Sequence, residues 1–304
     1  MIGQMARDLG VTVHFISTFA QGASYAYRTY PIPKKSGGVR TIDHPSRQLK
    51  AMQRWLLTYV LNSIPIHPAA MAYRKKTSIF DNASLHAGSS YLLRMDCKDF
   101  FPSITDEDLK MLIVTRPGTF PGWRPYDVDL FCKLVCKNGR LTIGAPTSPT
   151  LSNAVCYDMD SQLSEISTKL GVVYTRYADD LFFSASQPKV LSELEPVIAS
   201  TIAGLKIPRG LTINPAKTRH SSKRGSRRVT GITLGSDGRP YIGRQLKRKI
   251  RAMVHNIDAL DPRTRSSLAG LIAYAGGFDP DFVNSLITKY GHGVVAKARN
   301  ATVL

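Results

Sequence analysis

"VVYTRYADDLFFSAS", residues 172–186, sets two adjacent aspartates, Asp179 and Asp180, between two runs of β-branched and aromatic residues. Such runs favour strands, and the short polar break between them predicts a hairpin with the aspartates at its tip. Side chains alternate faces along a strand, so 179 and 180 converge only if the chain turns there. Two unpaired, partly buried carboxylates raise each other's pKa and cost stability. A divalent cation removes that cost, and hard cations such as Mg2+ take oxygen ligands, keep waters and accept substrate phosphates. Alone, an Asp-Asp pair more often caps a turn than holds a metal.

Working upstream, a third carboxylate, Asp96, closes the short apolar strand in "SSYLLRMDCKDFFPSI" (89–104), ahead of a loop and a helix from Thr105. Residues 148–171 carry Leu151, Val155, Met159, Leu163, Ile166 and Leu170 at helical spacing and end in Gly171, a C-terminal cap. Downstream come a helix over 188–205, capped by Ser186, and short strands at 211–213 and 229–234. The order strand, helix, hairpin, helix, strand predicts a split βαβ sheet, its helices on one face and the other free for a ligand. Strand ends placed side by side bring Asp96 to Asp179. Two metals about 4 Å apart would then bind the attacking and leaving oxygens of a phosphoryl transfer.

Farther out, "YRTYPIPKKSGGVRTID" (27–43) predicts two strands around a Lys-Lys-Ser-Gly-Gly turn. Residues 46–61 begin at a capping Ser46 and set Leu49, Met52, Leu56 and Val60 on one helical face. From Gln245 onward three helical pieces, broken by "LDPRT" and "GGFDPD", form a small lobe.

The chain has 304 residues, 43% of them hydrophobic, enough for one large domain or two to three lobes with real cores. Its 41 Lys+Arg against 22 Asp+Glu give a net charge of +19, which selects a polyanionic partner: nucleic acid ahead of acidic membrane. The charge is concentrated, with 14 Lys and Arg between Lys206 and Arg251 against one acid, Asp237. A solvated face mixes signs, so this strip is expected to meet a phosphate backbone. Cys97, Cys132, Cys136 and Cys156 show neither zinc spacing nor a disulfide framework and read as reduced, packed thiols. No apolar run approaches the roughly 20 residues of a membrane span, and "MIGQMARDLG" lacks a secretory core. A cytoplasmic protein is expected.

Tyr-Ala-Asp-Asp between apolar strands, the upstream Asp-x-x-Asp-Phe-Phe-Pro-Ser, and "GAPTSPTLSN" between them resemble, in type and order, the motifs of reverse transcriptases. "NASLH" (82–86) and "VTG" (229–231) resemble the two signatures of the bacterial retron lineage, and together the matches run from about Arg28 to about Leu234. The resemblance implies an α+β right-hand polymerase. N-terminal helices and fingers would span 1–90, a split-βαβ (RRM-like) catalytic palm with a fingers insertion 91–234, and a small helical, RNA-binding thumb 235–304. It implies an RNA-directed DNA polymerase, a nucleotidyltransferase, in which Asp96, Asp179 and Asp180 carry two Mg2+ ions and the carbonyl of Cys97 is an extra ligand. A primer hydroxyl would attack the α-phosphorus of a dNTP and release pyrophosphate, catalysis resting on positioning and on neutralising spread negative charge.

By the same resemblance Lys34, Lys35 and Arg40 lie in the fingers, with Arg40 gripping the triphosphate; the competing reading is a solvated basic hairpin. Phe101 would stack under the deoxyribose and exclude a 2′-hydroxyl, or else be a core phenylalanine, as Phe100 is. Lys217 in "INPAKT" would stand near the leaving pyrophosphate. Ile143 replaces the Gln usual before "GAPTSP", which leaves Gly144, Ala145 and the backbone to hold the dNTP by shape.

The retron signatures imply a cognate structured non-coding RNA (msr-msd), priming from the 2′-hydroxyl of a guanosine, a branched RNA–DNA product (msDNA), and an effector protein in defence against phage. RNA would be gripped by Lys223, Arg224, Arg227, Arg228, Val229, Thr230 and Gly231 and by Arg244, Lys247 and Arg248, through shape and phosphate contacts. Asn82 and His86 either contact RNA or hydrogen-bond within the fold. The alternatives are an idle RNA-binding scaffold or antitoxin restraining a toxic partner, and a group II intron or diversity-generating reverse transcriptase. A scaffold has no reason to retain three destabilising aspartates.

Overall fold

The hairpin of residues 172–186 takes its context from a computed structural model that describes residues 1–34, 37–116 and 118–300. In chain order the strands are β1 (Tyr27–Pro33), β2 (Val39–Pro45), β3 (Tyr91–Asp96), β4 (Val173–Tyr177), β5 (Asp180–Ala185), β6 (Arg219–Ser222), β7 (Arg227–Val229), β8 (Ile232–Leu234) and β9 (Pro240–Tyr241). They make a two-stranded sheet β1-β2, a four-stranded sheet ordered β4-β5-β3-β6, and a three-stranded sheet β7-β8-β9. In the four-stranded sheet β3 sits beside β5, so the carboxyl-bearing end of one strand meets the turn that opens the other. Tyr174, Thr175, Arg176, Leu181, Phe182 and Phe183 are all buried, which is why these strands read as continuous rather than alternating apolar runs.

By compactness the chain divides into two units, each built from separate stretches: Met1–Lys76, Leu93–Phe183 and Lys189–Arg219 in one, Thr77–Leu92, Ser184–Pro188 and His220–Leu304 in the other. This partition differs from cuts at 90 and 234, because the "NASLH" helix, Ile79–Ala87, packs with β7, β8 and β9 rather than with the N-terminal helices.

In the first unit the helices Ile2–Leu9, Val13–Gln21, Arg47–Tyr59, Asp106–Thr115 and Pro125–Val135 share a core containing Met5, Ile16, Leu49, Leu56, Leu109 and Phe131. Full burial of each such side chain contributes roughly 1.5–3 kcal/mol. Ser46 accepts from the Leu49 amide and caps the third of these helices, and Thr105 with Asp108 forms a capping box on the fourth. The stretch 148–171 is two helices, Ser148–Val155 and Tyr157–Lys169. Hydrogen bonds from Cys156 to Ser152 and from Asp160 to Cys156 run across the joint, so the apolar spacing reads as one. Gly171 takes φ +65° past the end, with the Val172 amide returning to the Ser167 carbonyl. Residues 211–213 form no strand; Ile213 makes a single bridge to Cys97.

In the second unit the expected strand 229–234 is instead the hairpin β7–β8, turned at Thr230 (φ +49°) and Gly231 (φ +87°). Positive φ at both turn residues suits a two-residue hairpin, and only the glycine takes it without cost. The C-terminal helices are Arg244–His255, Pro262–Phe278, Pro280–Tyr290 and His292–Arg299, around Ile250, Val254, Leu268, Ile272 and Leu286. The expected third piece is split at Gly291, whose φ is +85°.

Candidate active site and nucleic-acid interface

The loop of the β4–β5 hairpin is Ala178 and Asp179, with Ala178 at φ +57° and Asp179 outside the left-handed region. Positive φ at the first loop residue alone is the sign pattern of a type II′ turn, which normally uses glycine there. A left-handed alanine costs roughly 1–2 kcal/mol, so the surroundings must hold the turn. The Asp179 carbonyl accepts from the Cys97 amide at 2.8 Å, which seats the turn against the end of β3. On the other side, Asn214 N–H to Asp96 C=O and Lys98 N–H to Thr212 C=O, both 2.8 Å, bracket the Cys97–Ile213 bridge. Cys97 therefore points its own N–H and C=O toward Asp179.

Each carboxylate has a different partner. Asp96, 4% exposed, is met by the Lys217 ammonium, whose Nζ lies 2.9 Å from both oxygens. Asp180 is clasped by Arg94 through Nε (3.0 Å) and Nη2 (2.8 and 2.9 Å). For Asp179, burial pushes the carboxyl up; its own backbone amide opposes this, Asp96 adds to the rise, and Lys217 and Arg40 draw it back. Burial likewise raises Asp180, with Arg94 opposing. Among the described residues no three His, Cys, Asp or Glu side chains form a group arranged to hold a metal ion. The expected trio is thus divided: Asp96, Asp179 and the Cys97 carbonyl supply hard oxygen donors, and Asp180 is committed to Arg94. These carboxylates and the carbonyl are hard oxygen donors of the kind a divalent metal takes, but Asp96 holds Lys217 as Asp180 holds Arg94, so each must release its cation to ligate one.

Arg176, fully buried two residues before the turn, braces it from behind. Its Nε and Nη2 bond Asp160 at 2.9 and 2.6 Å, and its Nη1 reaches the Asn153 side chain (3.1 Å) and the Ala178 carbonyl (3.3 Å). The Tyr174 hydroxyl donates to the same Asp160 at 2.8 Å. Burial alone would lower the pKa of Arg176, but Asp160 more than compensates and keeps the guanidinium charged. Sequence reasoning missed both arginines. The available signals were an Arg inside the apolar "VVYTRY" and an Arg two residues before Asp96, on its strand face.

Lys34 closes the β1–β2 turn, its amide donating to Gly38 at 3.0 Å, and Lys35 lies outside the described residues. Arg40 is exposed on β2, near enough to act on Asp179. Phe101 is half-buried, its ring 5.4 Å from the buried Phe100. Gly144 has a packing reason of its own: at φ +124°, a Cβ there would sit 2.5 Å from the Asp43 carbonyl oxygen. The neighbouring Ile143 carbonyl accepts from the Asp43 amide at 2.8 Å. The segment is thus pinned to β2 through its backbone, which an isoleucine side chain does not disturb. This packing role stands beside the expectation that Gly144, Ala145 and the backbone hold the dNTP by shape.

In the second unit the two retron-like signatures belong to one piece of structure. Asn82 and His86 are fully buried, and His86 Nδ1 lies 2.8 Å from Ser184 Oγ. Burial pushes His86 down to about 3. Thr230 donates its hydroxyl to the Ile79 carbonyl at 3.2 Å, and Val229 is in the core. Arg227, 1% exposed, donates to the carbonyls of Ala87, Ser89 and Gly235. Hence Arg227 and Val229 are interior residues, correcting their assignment to an RNA surface, and the buried Asn82 and His86 fit the alternative of a role within the fold. Alternation along β7 turns Arg227 and Val229 inward and leaves Arg228 outside. Lys223, Arg224, Arg228, Gly231, Arg244 and Arg248 are exposed, whereas Lys247 is half-buried and paired with Asp279 at 2.5 Å.

Comparison with known proteins identifies the family. Residues 32–234 match the family described as reverse transcriptase (RNA-dependent DNA polymerase). The chain is 31% identical to the Retron Ec86 reverse transcriptase of Escherichia coli, over 97% of this chain and 92% of that one. It is 34% identical to the Retron Ec83 reverse transcriptase of Escherichia coli, over 88% of each. The Retron Mx162 reverse transcriptase of Myxococcus xanthus is also 34% identical, over 91% of this chain but only 63% of its own length. The apo telomerase of Candida Tropicalis superposes with a TM-score of 0.52 at 12% identity, over 95% of this chain and 66% of that one, which shows the shared right-hand polymerase fold. The chain belongs to the reverse transcriptases, the RNA-directed DNA polymerases, and within them to the bacterial retron type.

Proposed function

We propose that the chain copies a cognate structured non-coding RNA, the msr-msd transcript, into branched msDNA, starting from the 2′-hydroxyl of a guanosine, as part of an anti-phage system with an effector protein. The observation that carries the catalytic part is the convergence of Asp96, Asp179 and the Cys97 carbonyl at one end of the central sheet. Asp179 and the Cys97 carbonyl would hold Mg2+ together with Asp96 on its release from Lys217, and Asp180 would join them on release from Arg94. Bound Mg2+ neutralises the charge that spreads over a transferring phosphoryl group.

The chain's own residues do the rest. The left-handed turn at Ala178 fixes Asp179, and Arg176 keeps that turn from moving. Lys217 balances Asp96 and is placed to follow developing negative charge on a leaving group. Arg40 offers a guanidinium to the phosphates, and Phe101 offers a ring face to the sugar. In the second unit, exposed Lys223, Arg224, Arg228, Arg244 and Arg248 suit the phosphates of an RNA stem. No helix among the described residues is long and apolar enough to cross a membrane.

The test is expression with the flanking DNA, followed by extraction of nucleic acid. A short branched DNA is expected from the wild type, and Asp179→Ala should reduce it by about 10³-fold or more, the scale for losing a group that meets transition-state charge. Absence of DNA from the wild type would sink the proposal.

A further inference from the structure

Tyr73 is an aromatic residue in a conformation that aromatic residues avoid. Its φ is +61°, in the left-handed region, and the side chain is 48% exposed. Nothing in the core accounts for it, since half of its surface faces solvent. Strain at a non-glycine residue persists only where neighbouring structure imposes it, and such places concentrate where ligands bind.

The imposing structure is the frame behind the aspartates. The Met71 amide donates to the Arg176 carbonyl at 2.7 Å, and the Arg176 amide donates to the Ala69 carbonyl at 2.8 Å. Asn153, which also receives Arg176, donates from Nδ2 to the Ala72 carbonyl at 2.9 Å, one residue before Tyr73. Arg74, one residue after, donates to the Pro68 and Ala70 carbonyls at 3.0 and 3.2 Å. The segment 68–74 is therefore tied to the same buried Arg176 that holds the Asp179 turn. Tyr73 and Asp179 are set by one scaffold.

The Tyr73 ring lies 6.3 Å from that of Phe101 at 44°, too close to admit a base between them and angled so that the two make one bent aromatic surface. Burial raises the Tyr73 phenol, with Asp179 adding and Arg40 opposing, which places both charges within electrostatic reach of the ring. A carboxylate turn, an arginine and two aromatic faces thus lie near one another.

We propose that Tyr73 is a second aromatic contact for the incoming nucleotide, continuing the Phe101 surface so that the sugar rests on Phe101 and the base on Tyr73. This rests on the reading of Phe101 and Arg40 as nucleotide contacts. A base stacks on an aromatic face whatever its identity, so the residue sets affinity for all four dNTPs rather than choice among them. The strained backbone serves to aim the ring outward where an ordinary φ would not. Tyr73 is a substrate-positioning residue; it donates and accepts no proton in the reaction.

Primer extension on an RNA template should show Tyr73→Ala raising KM for each dNTP by about tenfold, equivalent to about 1.4 kcal/mol, with kcat changed less than about threefold. Tyr73→Phe should restore KM, because the ring and not the hydroxyl makes the contact. Thermal midpoints of all three proteins should coincide. An unchanged KM in Tyr73→Ala would overturn the inference, as would a joint fall of kcat and Tm, which marks a structural role. Wild-type extension alongside an inactive Asp179→Ala separates the two readings: if the wild type does not extend, the polymerase assignment fails, and if it extends while Tyr73→Ala matches it, only the Tyr73 inference fails.

Discussion

Arg176 and Arg227 are both buried arginines, 0% and 1% exposed, yet they are satisfied in opposite ways. Arg176 faces a buried carboxylate, Asp160, in a two-pronged pair with an amide and a tyrosine hydroxyl completing the shell. Arg227 has carbonyl oxygens as its hydrogen-bond acceptors, and burial lowers its pKa. The first is an ion pair that fixes a turn carrying chemistry; the second is a peg joining β7 to the end of the "NASLH" helix. A charge buried with its counter-charge is hard to remove singly, whereas a charge buried among dipoles gives up only its hydrogen bonds.

The largest test of this contrast is Arg176→Ala. It strands Asp160 as an unpaired buried charge, and destabilisation of about 3–5 kcal/mol is expected in denaturant unfolding. Arg176→Met combined with Asp160→Leu should recover a large part of that loss, because no lone charge remains. If the double variant is no better than the single, the ion pair is not what the site depends on. Arg176→Lys keeps the charge but cannot reach Asp160, Asn153 and Ala178 together, so its loss should be intermediate.

Arg227→Ala should cost less, about 1.5–3 kcal/mol for hydrogen bonds made by a charged donor. Its neighbour sharpens the comparison. Arg228 is exposed, so Arg228→Ala should leave stability within about 0.5 kcal/mol while weakening RNA binding and lowering its salt slope by about one. A stable Arg227→Ala protein with weakened RNA binding would reverse the roles given to the two residues.

The same pair shows what could be read from the chain beforehand. The Asp179 hairpin, the strand ending at Asp96, the capped helix after Ser46 and the basic strip were all visible, because each is written in local periodicity or local charge. Which arginines of the strip lie inside was not, since 227 and 228 differ only by strand alternation and the strand was read two residues late. Nor was the division of labour among the carboxylates: Arg94 and Asp180 are 86 residues apart, and only sheet pairing brings them together. Tyr73 was invisible for a related reason. Its significance is a backbone angle and a neighbour, Phe101, neither of which "AYRKK" announces.

A third buried basic side chain, His86, extends the comparison to one that sheds its charge on burial. With Ser184 Oγ 2.8 Å from Nδ1 and burial holding its pKa at about 3, it is neutral in the folded protein at all ordinary pH. In the unfolded chain a histidine titrates near 6.5, so between about pH 6.5 and about pH 3 the unfolded state binds the extra proton. Stability contributed by this residue is therefore complete above that window and falls as pH falls through it. The loss from this one group between pH 8 and pH 5.5 is about 1.4 kcal/mol. Measured as the difference between wild type and His86→Gln, it should appear as a shallower pH dependence in the variant, even though the variant is less stable throughout. Parallel pH profiles would mean that His86 takes up its proton in the folded state, and would favour the RNA-contact alternative for it.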